Sequence, residues 1–416
     1  MKVLWLCNSQ LPMFSEAVGD RINNYGGWLT GSALELSSYD DVQLFILVPS
    51  NFASLEKVKI NRIVFLGFDI NNFEDCLERV ISEVSPDIIH VHGSEHLPFV
   101  KAVSYLEKRE AIDKLVVSIQ GMPFFYSKHY YCGLPAKVIF GFTLRDFIKM
   151  SNIYLNKRRM AKAGALERKS LSAVHNVIGR TDWDYACVKS INPDTDYFHC
   201  NEILRPSFYE GKKWDFLYCE KHSIFVSQCS YPIKGFHFIL EAFSVVVKKY
   251  PDANLYVTGE DLVGVSASQK IKQSYYQKYL ARLITKYKLA DKVHFLGSLS
   301  EHEMKNRYLL SNVFVSASSI ENSPNSLGEA MILGVPCISS DVGGVRNMMT
   351  DKVDGLIYPY DESYVLAHYI EKLFNDDCFC AYLSKNAIAH ATQTHNRHKN
   401  SACLKNIYSK IISNKK

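Results

Sequence analysis

Two glutamates, Glu321 and Glu329, flank a short polar turn that joins one apolar run to another. The first run, residues 313–318, has the composition of a buried strand, and the second, residues 330–334, has the spacing of a short helix. The free N–H groups and the dipole at the start of such a helix favour anions. Carboxylates accept hydrogen bonds from hydroxyls. The arrangement therefore suits a ligand with phosphate and hydroxyl groups, such as a nucleotide sugar.

Taken alone, the two glutamates fit a binding site no better than they fit an ordinary loop residue, Glu321, and a solvated helix residue, Glu329. The residues that follow them form an ordered series. An apolar strand after Pro336 leads into a loop at Gly343-Gly344. A turn at Asp354-Gly355 then precedes a third short strand.

This series resembles the family 4 retaining glycosyltransferases of GT-B fold, which carry two glutamates separated by seven residues. The resemblance implies that Glu321 holds hydroxyls of the transferred sugar and that Glu329 holds the ribose. It further implies that the helix start at Asn325, Ser326 and Leu327 faces the donor phosphates. Neither glutamate is assigned as a nucleophile, because retaining transferases of this fold are often described as reacting on the front face of the donor.

A lysine and a glycine, Lys234 and Gly235, lie in a predicted strand-to-helix loop, where an ammonium and a close backbone approach suit a diphosphate. An isolated lysine here is more often a surface residue. The family that the chain resembles places a diphosphate-binding Lys-Gly pair at this position, and usually an arginine five residues earlier. This chain has Cys229 there, so the resemblance leaves neutralisation to Lys234, helix N-termini and a residue such as Arg180 or Arg346.

Three further loops complete the expected donor site. Gly259 ends a predicted strand at the cleft, and the loop from Leu296 to Leu299 resembles the backbone shelf that holds the nucleotide base. The Gly26-Gly27 loop matches one that touches the donor phosphates or the acceptor, although a Gly-Gly pair by itself also fits an ordinary turn. Between these loops the spacing predicts one long helix over residues 269–287.

Two residues of the N-terminal half lie at predicted carboxyl ends of strands. His92 is either a substrate contact or a core histidine, whereas His90 is expected in the core. Gln120 occupies a position where many relatives have a histidine near the transferred sugar. An amide cannot act as a base, so Gln120 is expected only to donate and accept hydrogen bonds.

Strands alternate with helices along the chain, which predicts α/β architecture with parallel sheets. We expect a GT-B fold of two Rossmann-like, doubly wound domains that face across a cleft. The N-terminal acceptor domain is predicted over residues 1–210 and the nucleotide-sugar domain over 211–390. The terminal helix, within residues 391–416, is predicted to return to the first domain.

Composition is that of an ordinary globular protein, with 416 residues, 47% hydrophobic and 22% charged. A net charge of +5 is too small to indicate nucleic acid. Eleven scattered cysteines predict buried thiols in a reducing compartment. No apolar run approaches the length of a membrane-spanning helix. We therefore expect a cytoplasmic protein without organic cofactor. No Asp-x-Asp-type site ends a strand, so no metal is implied.

Residues 135–170 differ from the rest because lysines and arginines interleave with aromatic and aliphatic side chains. Such a segment fits an anionic membrane surface at the inner face of the plasma membrane. It fits equally well a solvated helix face above an apolar core stripe.

The resemblance implies metal-independent, retaining transfer of a hexose from a nucleotide sugar to a glycan or lipid-linked acceptor. Bacterial proteins of this type commonly build capsule, O-antigen lipopolysaccharide or exopolysaccharide. Two alternatives stay open. One is a nucleotide-sugar 2-epimerase of the same fold. The other is a catalytically silent GT-B partner subunit, which the departures at Cys229 and Gln120 keep open and against which Glu321, Glu329 and Lys234 argue.

Overall fold

The computed structural model describes residues 1–20, 27–50 and 57–414. The chain divides into two compact units, each built around one sheet. The first unit comprises residues 1–125, 162–206 and 395–416, and the second comprises residues 126–161 and 207–394.

The sheet of the first unit has the strand order β3-β4-β2-β1-β5-β6-β7-β8. All neighbouring strands run parallel except β3 and β4, an antiparallel edge that was not predicted. The strands are β1 (Lys2–Cys7), β2 (Gln43–Pro49), β3 (Val58–Ile60), β4 (Ile63–Phe68), β5 (Ile88–His92), β6 (Leu115–Ser118), β7 (Asn176–Gly179) and β8 (Asp196–His199).

The sheet of the second unit is parallel throughout, with the order β11-β10-β9-β12-β13-β14. Its strands are β9 (Glu220–Val226), β10 (Asn254–Val257), β11 (Val293–Phe295), β12 (Ser311–Ser316), β13 (Cys337–Ser340) and β14 (Leu356–Tyr358).

Helices connect most of these strands. They are α1 (Pro12–Ala17), α2 (Gly27–Ser37), α3 (Phe73–Val84), α4 (Leu97–Glu107), α5 (Pro123–Tyr126), α6 (Ala136–Ile139), α7 (Leu144–Lys149), α8 (Ile153–Leu171), α9 (Asp182–Ile191), α10 (Phe236–Lys249), α11 (Ala267–Lys272), α12 (Tyr275–Lys286), α13 (Glu301–Leu310), α14 (Asn325–Leu333), α15 (Val345–Met348), α16 (Ser363–Asn375), α17 (Asp377–Thr394) and α18 (Arg397–Ser413). Within the described ranges, none of them has both the length and the apolar content to cross a bilayer.

Strand β1 explains why the first unit is layered on both faces of its sheet. Side chains alternate along a strand, so Leu4 and Leu6 enter one apolar core, and Trp5 and Cys7 enter the other. A strand that is buried on both faces has an almost continuous apolar sequence, as β1 has. The apolar runs therefore predicted α/β architecture correctly.

The final helix packs on the first unit, as expected. Leu404, Ile407, Tyr408 and Ile411 lie at helical spacing and join the core that contains Trp5. The C-terminal helix is therefore part of the first unit's core.

Two expectations about segments differ from the structure. Residues 126–161 were expected in the first domain, but their contacts place them in the second unit. The single helix expected over 269–287 is two helices, because Gln273 is extended and Ser274 caps α12. The Ser274 hydroxyl accepts a hydrogen bond from Gln277 N, which satisfies an N–H group at the new helix start.

A buried polar cluster ties α18 to the sheet. Trp5 Nε1 donates to Tyr408 Oη at 3.0 Å, and Tyr408 Oη lies 2.5 Å from Nδ1 of His90. The other ring nitrogen of His90 lies 2.7 Å from Ser118 Oγ. Burial lowers the pKa of His90 to about 3, so its imidazole is neutral.

Tyr408→Phe is expected to lower the free energy of unfolding by about 1–3 kcal/mol, because it leaves Trp5 Nε1 and His90 Nδ1 buried without partners. Urea unfolding followed by tryptophan fluorescence measures the change. Tyr364→Phe, at an exposed tyrosine, is the matched control and should change little. Equal midpoints for the two variants would contradict the prediction.

Candidate functional site

An ion pair joins two of the residues singled out in the sequence. Lys234 Nζ lies 2.5 Å from Glu321 Oε1, and Ser318 Oγ donates to the same oxygen at 2.7 Å. Burial lowers the pKa of Lys234, but Glu321 and Tyr231 together raise it more, so its pKa is above the ordinary value. The ammonium therefore stays charged at neutral pH.

Gly235 lets the lysine loop approach strand β12 closely. Lys234 ends a single 3₁₀ turn, and Gly235 follows with a left-handed φ of +66°. A Cβ at Gly235 would lie 1.9 Å from the carbonyl oxygen of Ala317. Only glycine fits this contact, which fixes where α10 begins and where the lysine points.

A second glycine packs against the other half of the ion pair. A Cβ at Gly343, whose φ is +52°, would lie 1.8 Å from the carbonyl oxygen of Glu321. The neighbouring Gly344 N donates to that oxygen at 3.1 Å. The Gly343-Gly344 loop therefore holds the backbone of Glu321 in place.

Helix α14 begins next to this pair, as the sequence predicted. Its N-cap residue is Pro324, and no side chain caps the helix start. Residues 325–327 form the first turn, and Tyr308 Oη donates to the carbonyl oxygen of Ser326 at 3.0 Å. Glu329 lies further along the same helix and is buried. The start of α14 thus offers backbone N–H groups and a positive dipole end.

The loop at Gly259 and the loop from Leu296 to Leu299, which was predicted to hold the nucleotide base, contact each other in the second unit. Gly259 and Gly297 exchange two backbone hydrogen bonds of 2.9 and 3.0 Å, and Leu296 N donates to Val257 O at 2.9 Å. These bonds join the loops that follow β10 and β11. Leu296 and Leu299 are half-buried on the second loop.

Cys229 fills its site with a neutral group. Its thiol is buried, donates to Thr258 O at 3.5 Å and lies against Gly259, where an added Cβ would be 3.2 Å from the sulfur. Burial raises the pKa of Cys229 to about 12. This position therefore contributes no positive charge.

In the first unit, Arg180 and Gln120 share a carboxylate that the sequence analysis missed. Arg180 Nη1 lies 2.6 Å from Glu202 Oε2, and Gln120 Nε2 donates to Glu202 Oε1 at 2.5 Å. Arg180 Nη2 also donates to the Gln120 side chain at 3.1 Å. Glu202 lies in an irregular stretch without a motif, so no sequence signal marked it. Its carboxylate balances the charge of Arg180.

His92 ends strand β5 and is buried, yet neither ring nitrogen has a hydrogen-bond partner in the described part of the chain. The Trp5 ring meets it edge-on, with centroids 4.3 Å apart. Burial first, and the charges of His90 and Arg180 second, hold the pKa of His92 well below its ordinary value. The imidazole is therefore neutral and has unused hydrogen-bonding groups.

The structure thus places the predicted residues in two sets. The second unit holds Lys234, Gly235, Gly259, Leu296, Leu299, Glu321, residues 325–327 and Glu329, and the first unit holds Gly27, His92, Gln120 and Arg180. Gly26 lies outside the described residues. The other cation considered, Arg346, pairs with Asp341 at 2.6 Å. Among the described residues, no three His, Cys, Asp or Glu side chains are grouped closely enough to hold a metal ion.

Gly235→Ala is expected to destabilise the protein by clearly more than Gly297→Ala. The two glycines have nearly equal φ angles, +66° and +68°, so each substitution costs about 1–2 kcal/mol of backbone strain. Only Gly235 adds the clash with Ala317, since no described heavy atom lies within 4 Å of a Cβ at Gly297. Urea midpoints measure the difference. Equal losses would show that the loop moves freely away from β12.

Comparison with known proteins shows which families the sequence resembles. Residues 217–390 match the family model described as glycosyl transferases group 1. The glycosyltransferase YtcC of Bacillus subtilis is 26% identical over 161 residues, 38% of each chain. The glycosyltransferase MJ1059 of Methanocaldococcus jannaschii is 33% identical over 141 residues, 32% of this chain and 30% of its own. The matched part thus spans well under half the length of these relatives.

Solved structures resemble the chain over nearly its whole length. Sucrose-phosphate synthase from Thermosynechococcus elongatus superposes with a TM-score of 0.72 at 14% identity, covering 99% of this chain and 100% of that one. Anabaena HepE in complex with UDP and glucose superposes with a TM-score of 0.70 at 16% identity, with the same coverage. These likenesses confirm the predicted GT-B fold.

Proposed function

We propose that this chain, whose residues 217–390 match the model of the group 1 glycosyl transferases, is a retaining hexosyltransferase that uses a nucleotide-sugar donor. The observation that carries this proposal is the Lys234–Glu321 ion pair beside the uncapped start of α14. It combines a fixed positive charge, a carboxylate and backbone N–H groups in one unit. These are the groups that a diphosphate joined to a sugar requires.

Sugar transfer breaks the bond between the anomeric carbon and the donor diphosphate. Negative charge grows on the diphosphate while the sugar becomes oxocarbenium-like. Positive groups already in place where this charge grows lower the barrier. Lys234 and the N-terminus of α14 supply them. The raised pKa of Lys234 matters here, because the lysine carries its charge before the donor binds.

Without donor, Glu321 satisfies the charge of Lys234. A donor diphosphate competes with Glu321 for the ammonium. The carboxylate is then available to accept hydrogen bonds from the sugar hydroxyls. In this proposal Glu329 holds the ribose, Gly259 lets the backbone approach the donor, and the loop from Leu296 to Leu299 carries the base.

The residues of the first unit constrain the mechanism. His92 is neutral with a depressed pKa, and Gln120 is an amide held by Glu202 and Arg180. Neither is suited to remove a proton from an acceptor hydroxyl at neutral pH. We assign both to acceptor positioning by hydrogen bonds. This fits front-face transfer without a protein nucleophile.

The structurally similar HepE has been solved with UDP-glucose, which places UDP-hexoses first among the donors to test. The proposed acceptor is a glycan or lipid-linked glycan in capsule, O-antigen or exopolysaccharide synthesis, at the cytoplasmic face of the membrane. No metal or organic cofactor enters the proposal.

A thermal-shift series against UDP-, GDP-, ADP- and TDP-sugars tests donor binding. One nucleotide class is expected to raise the melting temperature by mass action, equally with and without chelator. Lys234→Ala should weaken binding roughly tenfold or more, because a charge-assisted hydrogen bond is lost. Lys249→Ala is the matched control, because it also removes a lysine from an ion pair with a glutamate, Glu371, at an exposed position outside the proposed donor site.

A folded protein that responds to no donor would contradict the proposal and favour the silent partner subunit. A donor that binds and returns as its C2 epimer without acceptor would favour the 2-epimerase.

A further inference from the structure

Helix α7 buries its acid and exposes its apolar side chains, the reverse of an ordinary surface helix. Asp146 is fully buried, whereas Leu144, Phe147 and Ile148 are 64%, 67% and 73% exposed. A surface helix normally turns such residues toward the core. Specific contacts must therefore hold α7 in this orientation, and the exposed apolar side chains point to a binding role.

The cause is a set of hydrogen bonds to Asp146. Its carboxylate accepts from Thr143 N at 3.2 Å and from Tyr275 N, at the start of α12, at 2.7 Å. Thr143 Oγ1 in turn accepts from Asp146 N at 3.1 Å, and Arg145 pairs with the carboxylate at 3.1 Å. A helical rotation that buried Phe147 would expose these bonds to water and break them. The apolar side chains are thus held outward.

The exposed apolar surface extends beyond α7. Helix α11 packs beside α7, and Ile271 on α11 is exposed as well. The apolar face consists of seven exposed side chains: Phe140, Phe142, Leu144, Phe147, Ile148, Met150 and Ile271. Single exposed apolar residues are normal, but a cluster of large ones marks an interaction surface.

A basic groove adjoins this apolar face. A cavity of about 560 Å³ lies between α6, α10 and α12, and three cations border it, Lys137, Arg282 and Lys286. Glu241 is the carboxylate among its lining residues. Tyr275 lies beside both, because it lines the cavity and its ring is 2.5 Å from a Cβ built at Gly141, the residue between Phe140 and Phe142 of the face.

We propose that this side of the second unit docks on an anionic phospholipid bilayer, with the apolar face inserted and the basic groove on a headgroup phosphate. Apolar side chains gain from leaving water, and each cation near an anionic surface adds attraction. Charge complementarity selects this partner. The biological role of this contact, to bring the enzyme to a lipid-linked acceptor, rests on the proposed function. The contact itself does not.

The structure revises the surface that the sequence suggested within residues 135–170. Lys157 and Arg168 lie over the rings of Tyr131 and Phe124, at 4.2 and 4.9 Å, so these two cations already contact aromatic rings of the protein. Three residues outside that segment also belong to the surface, because the fold brings them next to it: Arg282, Lys286 and Ile271. The inferred lipid site is thus made of parts far apart in the chain.

Cosedimentation with phosphatidylcholine vesicles, with and without phosphatidylglycerol, tests the apolar face. We expect binding to the phosphatidylglycerol vesicles that weakens with added salt, and loss of most of it in Phe147→Ser/Ile148→Ser. The matched control is Tyr364→Ser/Leu217→Ser, which removes an aromatic and an aliphatic side chain that are 67% and 74% exposed. Wild-type protein that stays in the supernatant, or equal binding by the two double variants, would overturn the proposal.

Arg282→Gln/Lys286→Gln tests the groove and should weaken binding by about fivefold per cation removed. Lys212→Gln/Lys385→Gln, at two exposed lysines elsewhere, should weaken it clearly less. If added inorganic phosphate displaces the protein from the vesicles, whereas chloride at the same ionic strength does not, the groove is a site for free phosphate instead. Sedimentation velocity that shows a dimer lost in Phe147→Ser/Ile148→Ser would assign the face to a second copy.

Donor binding separates this proposal from the proposed function. Phe147→Ser/Ile148→Ser should keep the nucleotide-sugar thermal shift of the wild type, since neither residue belongs to the donor site. Loss of vesicle binding with an intact shift supports the bilayer contact by itself. An absent donor shift with intact vesicle binding overturns the transferase proposal and leaves the lipid surface standing.

Discussion

The proposed donor site depends on one contact, the ion pair between Lys234 and Glu321. A partly buried lysine keeps its charge only when a carboxylate or an anionic ligand compensates for lost hydration. Glu321 provides that compensation in this structure. The pair also needs close backbone approaches at Gly235 and Gly343, where a side chain would collide with a carbonyl oxygen. Charge balance and backbone sterics therefore act on the same few atoms.

The first unit also pairs a cation with a carboxylate, and it differs from the proposed donor site in its neutral histidine. Arg180 lies between the carboxylate of Glu202 and the amide of Gln120, so its positive charge is already balanced by an acid of the same unit. His92 is neutral and has unpaired nitrogens within the described chain. In the proposed function, the second unit binds the donor phosphates, and the first unit offers the hydrogen-bonding groups of His92 and Gln120 to an uncharged acceptor.

The segment 126–161 connects this chemistry to a surface. It packs within the second unit, where His237 Nε2 lies 2.8 Å from Cys132 O and Ser319 Oγ donates to His129 O. Ser319 lies two residues before Glu321, and His237 lies three residues after Lys234. The same segment carries the outward-facing helix α7. The proposed lipid contact and the loops of the proposed donor site are therefore parts of one compact unit.

Sequence alone determined the α/β architecture, the terminal helix and the linear positions of Lys234, Glu321 and Glu329. Apolar runs and helical spacing indicate which residues are buried, and glycines indicate close backbone approaches. These features depend on residues that are close together in the sequence, so they could be predicted from it. Glu202, the placement of 126–161 and the break at Gln273 were not predictable in this way. Nor was the outward face of α7, because periodicity shows which side chains share a helix face but not which face meets the protein. A hydrogen bond from Tyr275 to Asp146, 129 residues away, decided that orientation, and such a contact exists only after the chain has folded.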